Sequence, residues 1–360
     1  MPGREAASMS RKPDAPEGLS YRGAGVDIDA MNEALGAVKD LARETATPAV
    51  LSEIGGFGGL FQVSGWREPV LVASVDGVGT KLAVAQEMAC HATIGADLVN
   101  HCINDILVQG AVPLFFMDYF ASGRLQPQVV VEVVRGMASA CREAECALLG
   151  GETAEMPGFY REGQYDIAGF ILGAVEKRNI LDGCAIQSGD RLLGLESTGL
   201  HTNGYSLARK VIFQVRGLRV SDPMPGMNLS VGEALLAPHR SYLKAIRPLL
   251  SQGKVKGLAH ITGGGLTDNL PRILPPGCGA EIHRGTWPVP PLFERIREWG
   301  GLSAAEMERT FNLGVGLVLV VSPDDAAGVI RRLQDSGETV HPIGSVVEGT
   351  RKVTYRPESG

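Results

Sequence analysis

The chain has 360 residues, 44% of them hydrophobic and 21% charged, with a net charge of −6 at neutral pH. That length accommodates two domains of about 150–200 residues each, and the acidic balance excludes a broad nucleic-acid-binding face. No stretch approaches the roughly 18 consecutive apolar residues of a bilayer span and no N-terminal apolar run reads as a signal peptide, so the expectation is a cytoplasmic protein with neither membrane nor nucleic acid as partner.

Residues 1–19 are polar and rich in Pro and Gly, and read as a loose tail. Val70 to Val75 then reads as a strand, Lys81 to Ala89 and Ala92 to Gln109 as helices, and Val112 to Phe120 as a buried strand. A helix with proline in its first turn runs from Pro127 to Glu145, and Tyr165 to Val175 is a further strand. After the charged Glu176-Lys177-Arg178, strands are expected at Arg191 to Glu196 and Val315 to Val321, with helices at Gly204 to Val215 and Pro323 to Leu333. The alternation predicts an α/β or α+β fold in two domains, residues 20–176 and 177–350. The six cysteines form no C-x-x-C pair and read as reduced thiols.

The segment Ala73 to Leu82 (ASVDGVGTKL) looks like a phosphate loop, yet Thr80 separates Gly79 from Lys81, so it is not the G-x-x-x-x-G-K-[ST] loop. Asp76 falls at the carboxyl end of a strand, where open sheets place ligands, although Asp-Gly is also ordinary turn chemistry. Along the helix from Ala92, Asp97, His101 and Asp105 recur at i, i+4 and i+8, flanked by Asn100 and Asn104. Residues so spaced share one surface, and short polar side chains order at low entropy cost. Gly150-Gly151-Glu152 follows the apolar Ala147 to Leu149 and places a third carboxylate at a strand end. Oxygen ligands such as Asp76, Asp105 and Glu152 suit Mg²⁺ carrying nucleotide phosphates, with Lys81 the nearest cation.

Leu51 to Phe61 holds four glycines around Phe57 and is either a flap over a site or a hairpin turn. The turn at Gly263-Gly264-Gly265 leads into a helix start that would favour an anion such as a ribose phosphate. His201 and His260 are candidates for proton transfer, or else turn and core histidines. The absence of G-x-G-x-x-G, H-E-x-x-H and G-x-S-x-G removes the Rossmann, zinc-protease and serine-hydrolase readings.

Taken in order, GAGVDID (Gly23 to Asp29), GGFGG (Gly55 to Gly59), DGVGTKL (Asp76 to Leu82), NDILVQGA (Asn104 to Ala111), FFMDYFASG (Phe115 to Gly123), GGETAEMPG (Gly150 to Gly158), HTNGYSL (His201 to Leu207), HITGGG (His260 to Gly265) and FNLGVG (Phe311 to Gly316) resemble the phosphoribosylformylglycinamidine cyclo-ligases, or aminoimidazole ribonucleotide synthetases. The resemblance runs from about Tyr21 to about Val347. It implies ATP-dependent ring closure of formylglycinamidine ribonucleotide, an N-terminal sheet completed into a barrel across a homodimer, and a C-terminal α/β domain beside a long cleft. It further implies that Asp76, Asp105 and Glu152 hold Mg²⁺, with Asp118 a weaker candidate. Gly77, Gly79, Thr80, Lys81, Asn104, Gly151 and Arg22 would join these carboxylates around ATP. Gly56, Phe57, Gly58, Asn203, Thr262, Gly263, Gly264 and Gly265 would line the substrate region, and His260, His201 and Lys81 would be the catalytic groups. One departure stands out: the family has lysine after the tyrosine of its first motif, and this chain has Arg22, which keeps the charge but does not give up a proton. Related ATP enzymes are the nearest alternatives: selenophosphate synthetase, thiamine-monophosphate kinase and formylglycinamidine synthetase. The first wants a reactive cysteine near the N-terminus, and none precedes Tyr21.

Overall fold

The computed structural model describes residues 28–357; the tail, Arg22 and most of the motif at 23–29 lie outside the described residues. Helix α1 (Ile28–Arg43) is followed by strand β1 (Pro69–Gly77), α2 (Leu82–Met88), α3 (Ala92–Leu107), β2 (Val112–Ser122), α4 (Pro127–Glu143), β3 (Ala147–Glu155) and β4 (Tyr165–Glu176). The second half comprises β5 (Arg191–Glu196), α5 (Tyr205–Arg209), α6 (Val231–Leu235), α7 (Leu243–Leu250), β6 (Val255–His260), α8 (Gly265–Asn269), β7 (Cys278–His283), α9 (Pro291–Gly300), α10 (Ala304–Thr310), β8 (Val315–Val321), α11 (Pro323–Asp335), β9 (Val340–Glu348) and β10 (Val353–Arg356).

The first sheet has the order β1-β4-β2-β3, with β2 and β3 parallel and the other pairs antiparallel. Among the described residues the helices cover one face. Helix α3 buries Ile94, Leu98, Cys102 and Ile106, one apolar stripe at a spacing of four residues, and α4 crosses it closely. A Cβ on Gly95 would lie 1.9 Å from the Val133 carbonyl oxygen, and one on Gly136 only 1.8 Å from that of Ala92, so the crossing requires both glycines. On the opposite face β1 is exposed at Leu71 and Val75 (53% and 67%). Val75 pairs with Phe170, which pairs with Met117, so an apolar row crosses the sheet on the face that no described helix covers.

The second sheet runs β10-β7-β9-β5-β8-β6, antiparallel except for β10 with β7. Strand β8 (VGLVLVV) is buried at every residue between β5 and β6, and β10 carries the sheet on to Arg356. One hydrophobic cluster links both halves, from Ile94 and Leu98 to Leu195, Tyr242 and Leu317. The helix expected over 204–215 is α5 followed by a π-helical turn, Lys210–Val215. The cysteines are all free; Cys184 is exposed and Cys90 partly so, while the other four are buried.

Candidate active site

Helix α3 turns its second face, Asp97, Asn100, His101, Asn104 and Asp105, toward the second domain. Every one of these side chains has a partner there or on β1. The Asp76 carboxylate receives a hydrogen bond from the Gly77 backbone N–H (2.7 Å) and lies 2.8 Å from His101 Nε2. Asp105 sits one helical turn on; its Oδ1 lies 2.8 Å from His260 Nδ1 on β6, and its Oδ2 receives the Ser74 hydroxyl at 2.9 Å. Two carboxylates from separate elements thus flank His101, with Asp105 Oδ2 3.7 Å from the same Nε2.

The charge states follow from these neighbours. Burial works against ionisation of Asp76 and Asp105, but the hydrogen bonds and charges of His101 and His260 outweigh it and hold both carboxyls below their usual values. For His101 burial is likewise outweighed, by Asp76 and Asp105, and its affinity for a proton rises. His260 goes the other way, because burial exceeds the pull of Asp105. A cavity of about 510 Å³ opens here between β1 and β6, lined by Ser74, Asp105, His260, Thr262, Asn269 and Arg272 among others. That size falls in the range of small-molecule sites. A larger cavity of about 730 Å³ lies within the second domain around Trp287, Phe293 and Phe311, and contains none of the carboxylates or histidines singled out from the sequence.

Other expected residues are placed differently. Lys81 is fully buried, its Nζ 2.7 Å from Asp97 Oδ2 and donating to the carbonyls of Ala237 (2.8 Å) and His201 (3.3 Å). It is an interior tie between the domains and not a cation facing the cavity. Thr80 is exposed, its hydroxyl 3.1 Å from that of Ser206. Gly79 has φ +64°, a backbone angle that suits glycine, and it opens the short 3-10 turn into α2.

Glu152 does not join Asp76 and Asp105. Strand β3 continues past it to Glu155, so it lies within the strand and on the edge opposite β1, three strand spacings or about 14 Å away. It pairs with the exposed Tyr119, on the uncovered face, while Gly151 pairs with Asp118 on the helix-covered side. Gly151 makes room for that aspartate, since a Cβ there would lie 2.3 Å from Asp118 Oδ1. Between the two readings of 51–61 the geometry favours a hairpin-like loop. Val50 bridges Phe61, Phe57 is fully exposed at the tip, and Gly59 packs on Leu149 of β3. Gly56, Phe57 and Gly58 therefore lie on the Glu152 side of the sheet.

Across the cavity, Asn203 approaches Gly263, whose Cβ would sit 3.3 Å from Asn203 Oδ1. The Asn269 amide clasps the Gly263–Gly265 turn through the carbonyls of Gly263 (3.2 Å) and Gly265 (2.9 Å). The helix that follows, α8, has five residues, and the Gly265 N–H is already given to the Thr262 carbonyl. The helical run continues through a 3-10 turn at Leu270–Arg272, so one of the N–H groups expected to face an anion is instead used within the turn. His201 is a fully buried turn residue with φ +59°; its Nε2 accepts the Thr198 N–H, and burial and neighbouring charges depress its basicity strongly. His260 reaches the cavity lining, with Nδ1 engaged by Asp105 and Nε2 turned toward His239 at 3.1 Å, which makes it a holder of Asp105 in this geometry.

Sequence reasoning missed His239, Thr202 and Ser74. His239 sits in an irregular stretch between α6 and α7 with no motif around it, and only the folded chain brings it 3.1 Å from His260.

The fold is shared with solved structures: a thiamine-monophosphate kinase from Stenotrophomonas maltophilia has a TM-score of 0.68 at 16% identity, covering 90% of this chain and 97% of that one. The hydrogenase maturation protein HypE in complex with ATP has a TM-score of 0.63 at 19% identity, covering 88% and 89%. At these identities the likeness is one of fold alone. The AIR synthase related protein N-terminal domain matches residues 59–175 and the C-terminal domain of that family matches residues 187–356. The phosphoribosylformylglycinamidine cyclo-ligase of Geobacter sulfurreducens is 51% identical over 92% of this chain and 96% of its own length. That of Geobacillus kaustophilus is 50% identical, again over 92% and 96%. With both domain families matched in order and half the residues shared along nearly the full length of such proteins, the chain belongs to the phosphoribosylformylglycinamidine cyclo-ligase family.

Proposed function

We propose that the protein closes the imidazole ring of 5-aminoimidazole ribonucleotide from formylglycinamidine ribonucleotide, with conversion of ATP to ADP and phosphate. The observation that carries this reading is the 51% identity to a named cyclo-ligase over 96% of that protein. In the reaction the γ-phosphoryl group of ATP passes to the formamide oxygen, the amidine nitrogen attacks the same carbon, and phosphate departs with that oxygen as a proton leaves the nitrogen. The cavity bounded by Asp105, His260, Thr262 and Arg272 supplies the enclosed space such a substrate needs.

Asp76 and Asp105 fit a magnesium ion, being ionised oxygen donors whose orientation is fixed by His101, Gly77, Ser74 and His260. Bound there, Mg²⁺ would neutralise the charge of the nucleotide phosphates. The uncovered apolar face of the first sheet fits a second copy of the chain, which would bury Leu71, Val75 and Phe170. Glu152 lies on that same face, and can join the two aspartates only from a second chain. A cytoplasmic location accords with this chemistry, and no helix among the described residues is long and apolar enough to cross a membrane. The test is direct: purified protein with formylglycinamidine ribonucleotide, Mg²⁺ and ATP should form aminoimidazole ribonucleotide and ADP in equal amounts. Absence of product, or ATP turnover indifferent to the ribonucleotide, would overturn the assignment.

A further inference from the structure

Four histidines meet where the domains join: His101 on α3, His201 after β5, His239 before α7 and His260 at the end of β6. Three of them could be taken for a metal cage, since ring nitrogens of His201, His239 and His260 lie within 4.8 Å of one another. The rings of His201 and His239, however, are stacked 4.1 Å apart and only 21° from parallel. A metal must lie near the plane of each imidazole that binds it, at about 2.0–2.1 Å from the nitrogen, and two stacked rings cannot both meet that condition.

The hydrogen bonds have another logic, and it begins at Asn104. Its Oδ1 accepts the Tyr242 backbone N–H (3.0 Å) and its Nδ2 donates to the Arg240 carbonyl (2.9 Å). Both partners are main-chain groups with one possible role, so the amide orientation is fixed. The second Nδ2 hydrogen then faces His239 Nε2 at 3.1 Å, which makes that nitrogen an acceptor and places the ring hydrogen on Nδ1. His239 Nδ1 in turn donates to Thr202 Oγ1, 3.2 Å away. The threonine hydroxyl has one hydrogen, and its remaining neighbour is His101 Nδ1 at 2.7 Å, because the Asn203 amide at 3.4 Å is itself a donor. Neutral His101 therefore carries its hydrogen on Nε2 and presents it to Asp76 Oδ2. Asn104 and His239 are fully buried and His101 is 3% exposed, so water does not reach those three side chains, while Thr202 between them is partly exposed. The approach of His260 Nε2 to the same His239 atom adds no donor while His260 is neutral, since its hydrogen is on Nδ1 toward Asp105.

We propose that His239 is a positioning residue: it passes the fixed orientation of the Asn104 amide through Thr202 to His101, and so reinforces from Nδ1 the Nε2–H tautomer that Asp76 requires at the other ring nitrogen. The functional part of this inference rests on the reading of Asp76 as a Mg²⁺–ATP ligand; the tautomer itself does not. Groups of this kind behind a ligand change metal affinity or activity by about 10–100-fold when lost.

The test has two independent arms. Long-range ¹⁵N–¹H correlation spectra of the uniformly labelled protein should show neutral His101 as the Nε2–H tautomer and neutral His239 as Nδ1–H. The His101 Nε2–H population should fall measurably in His239→Phe and in Thr202→Val, where the contact with Asp76 alone still favours it. It should return in Thr202→Ser, which restores the hydroxyl, and in His239→Asn, whose amide N–H reaches the position of Nδ1. A wild-type His101 carrying its hydrogen on Nδ1, or an unchanged Nε2–H population in Thr202→Val, overturns the proposal whatever the enzyme does. In the kinetic arm, His239→Phe and Thr202→Val should weaken Mg²⁺ activation of ring closure about 10–100-fold, with the KM for the ribonucleotide nearly constant and Thr202→Ser close to wild type. Equal losses in Thr202→Val and Thr202→Ser would refute the positioning role. A wild-type protein with the expected tautomers but no ring closure would refute the proposed function and leave the relay standing.

Discussion

Replacing Lys81 by methionine separates two accounts of the motif that first resembles a phosphate loop. In the structure the ammonium has no exposed surface; it is 2.7 Å from Asp97 Oδ2 and shared with the carbonyls of Ala237 and His201. Burial alone would drive Lys81 toward the neutral amine and Asp97 toward the neutral acid; their mutual attraction opposes it, helped on the Asp97 side by the His239 N–H and by His101. Removing one member of such a pair leaves the other charge buried without compensation, a loss of about 3–5 kcal/mol. The two carbonyls lose a donor as well. The total is a large share of the roughly 5–15 kcal/mol by which domains are stable. Asp97 Oδ1 also receives the His239 N–H at 2.6 Å, and asparagine can keep that bond. Lys81→Met with Asp97→Asn should therefore regain about 2 kcal/mol or more relative to Lys81→Met alone, since no ion is stranded. Urea unfolding followed by tryptophan fluorescence and far-UV circular dichroism measures both quantities. The reasoning fails if Lys81→Met unfolds within about 1 kcal/mol of wild type while its KM for ATP rises sharply, which is what a phosphate-facing lysine would give.

Asp76→Asn and Glu152→Gln should each abolish turnover if both serve the nucleotide site from different chains. Unfolded and refolded together, the two variants should regain about a quarter of wild-type activity, because half the dimers are mixed and each mixed dimer has one intact site of two; no recovery would place Glu152 outside the site. Asp118, which shares a strand face with Phe116 and Phe120, has its carboxyl pushed up to about 7 by burial. A raised folded-state value contributes stability that is fully present below the unfolded value, near pH 4, and is lost as the pH rises through about 7. Asp118→Asn should consequently flatten stability between pH 5 and pH 8 and raise it at pH 8 by no more than about 4 kcal/mol; an unchanged pH slope in urea titrations would show that the carboxyl is already solvated.

The α/β character, most first-domain elements and the face of α3 carrying Asp97, His101 and Asp105 were legible because each rests on local periodicity. Ile94, Leu98, Cys102 and Ile106 mark the apolar side of that helix, and a 100° rotation per residue fixes where the polar side must lie. Partners were another matter. A lysine after two glycines reads as a phosphate ligand until the fold closes Ala237 and Asp97 around it. Glu152 follows an apolar run just as Asp76 does, and only the strand order β1-β4-β2-β3 shows that they stand on opposite edges. His239 had no local signal, because its role comes from Asn104 and Thr202, which are 135 and 37 residues away in the chain.

The same helix face explains why stability and chemistry are hard to disentangle in this protein. Asp97, Asn100 and Asn104 fasten the stretch 239–242 of the second domain through the His239 N–H, the carbonyls of His239 and Arg240, and the Tyr242 N–H. His101 and Asp105, each one turn along, hold Asp76 and His260. The domain interface and the candidate site are thus successive turns of one polar stripe, with His239 belonging to both. Substitutions at Asn104 and His101 share a hydrogen-bonded path and should not add. A loss of activity at either position therefore identifies a catalytic cause only when the unfolding free energy of the same variant is unchanged. By that criterion Thr202→Val is informative only when its unfolding free energy is read beside that of Thr202→Ser, since it keeps the volume and the main-chain fastening of α3 to 239–242 but strips a partner from His101 Nδ1 and His239 Nδ1.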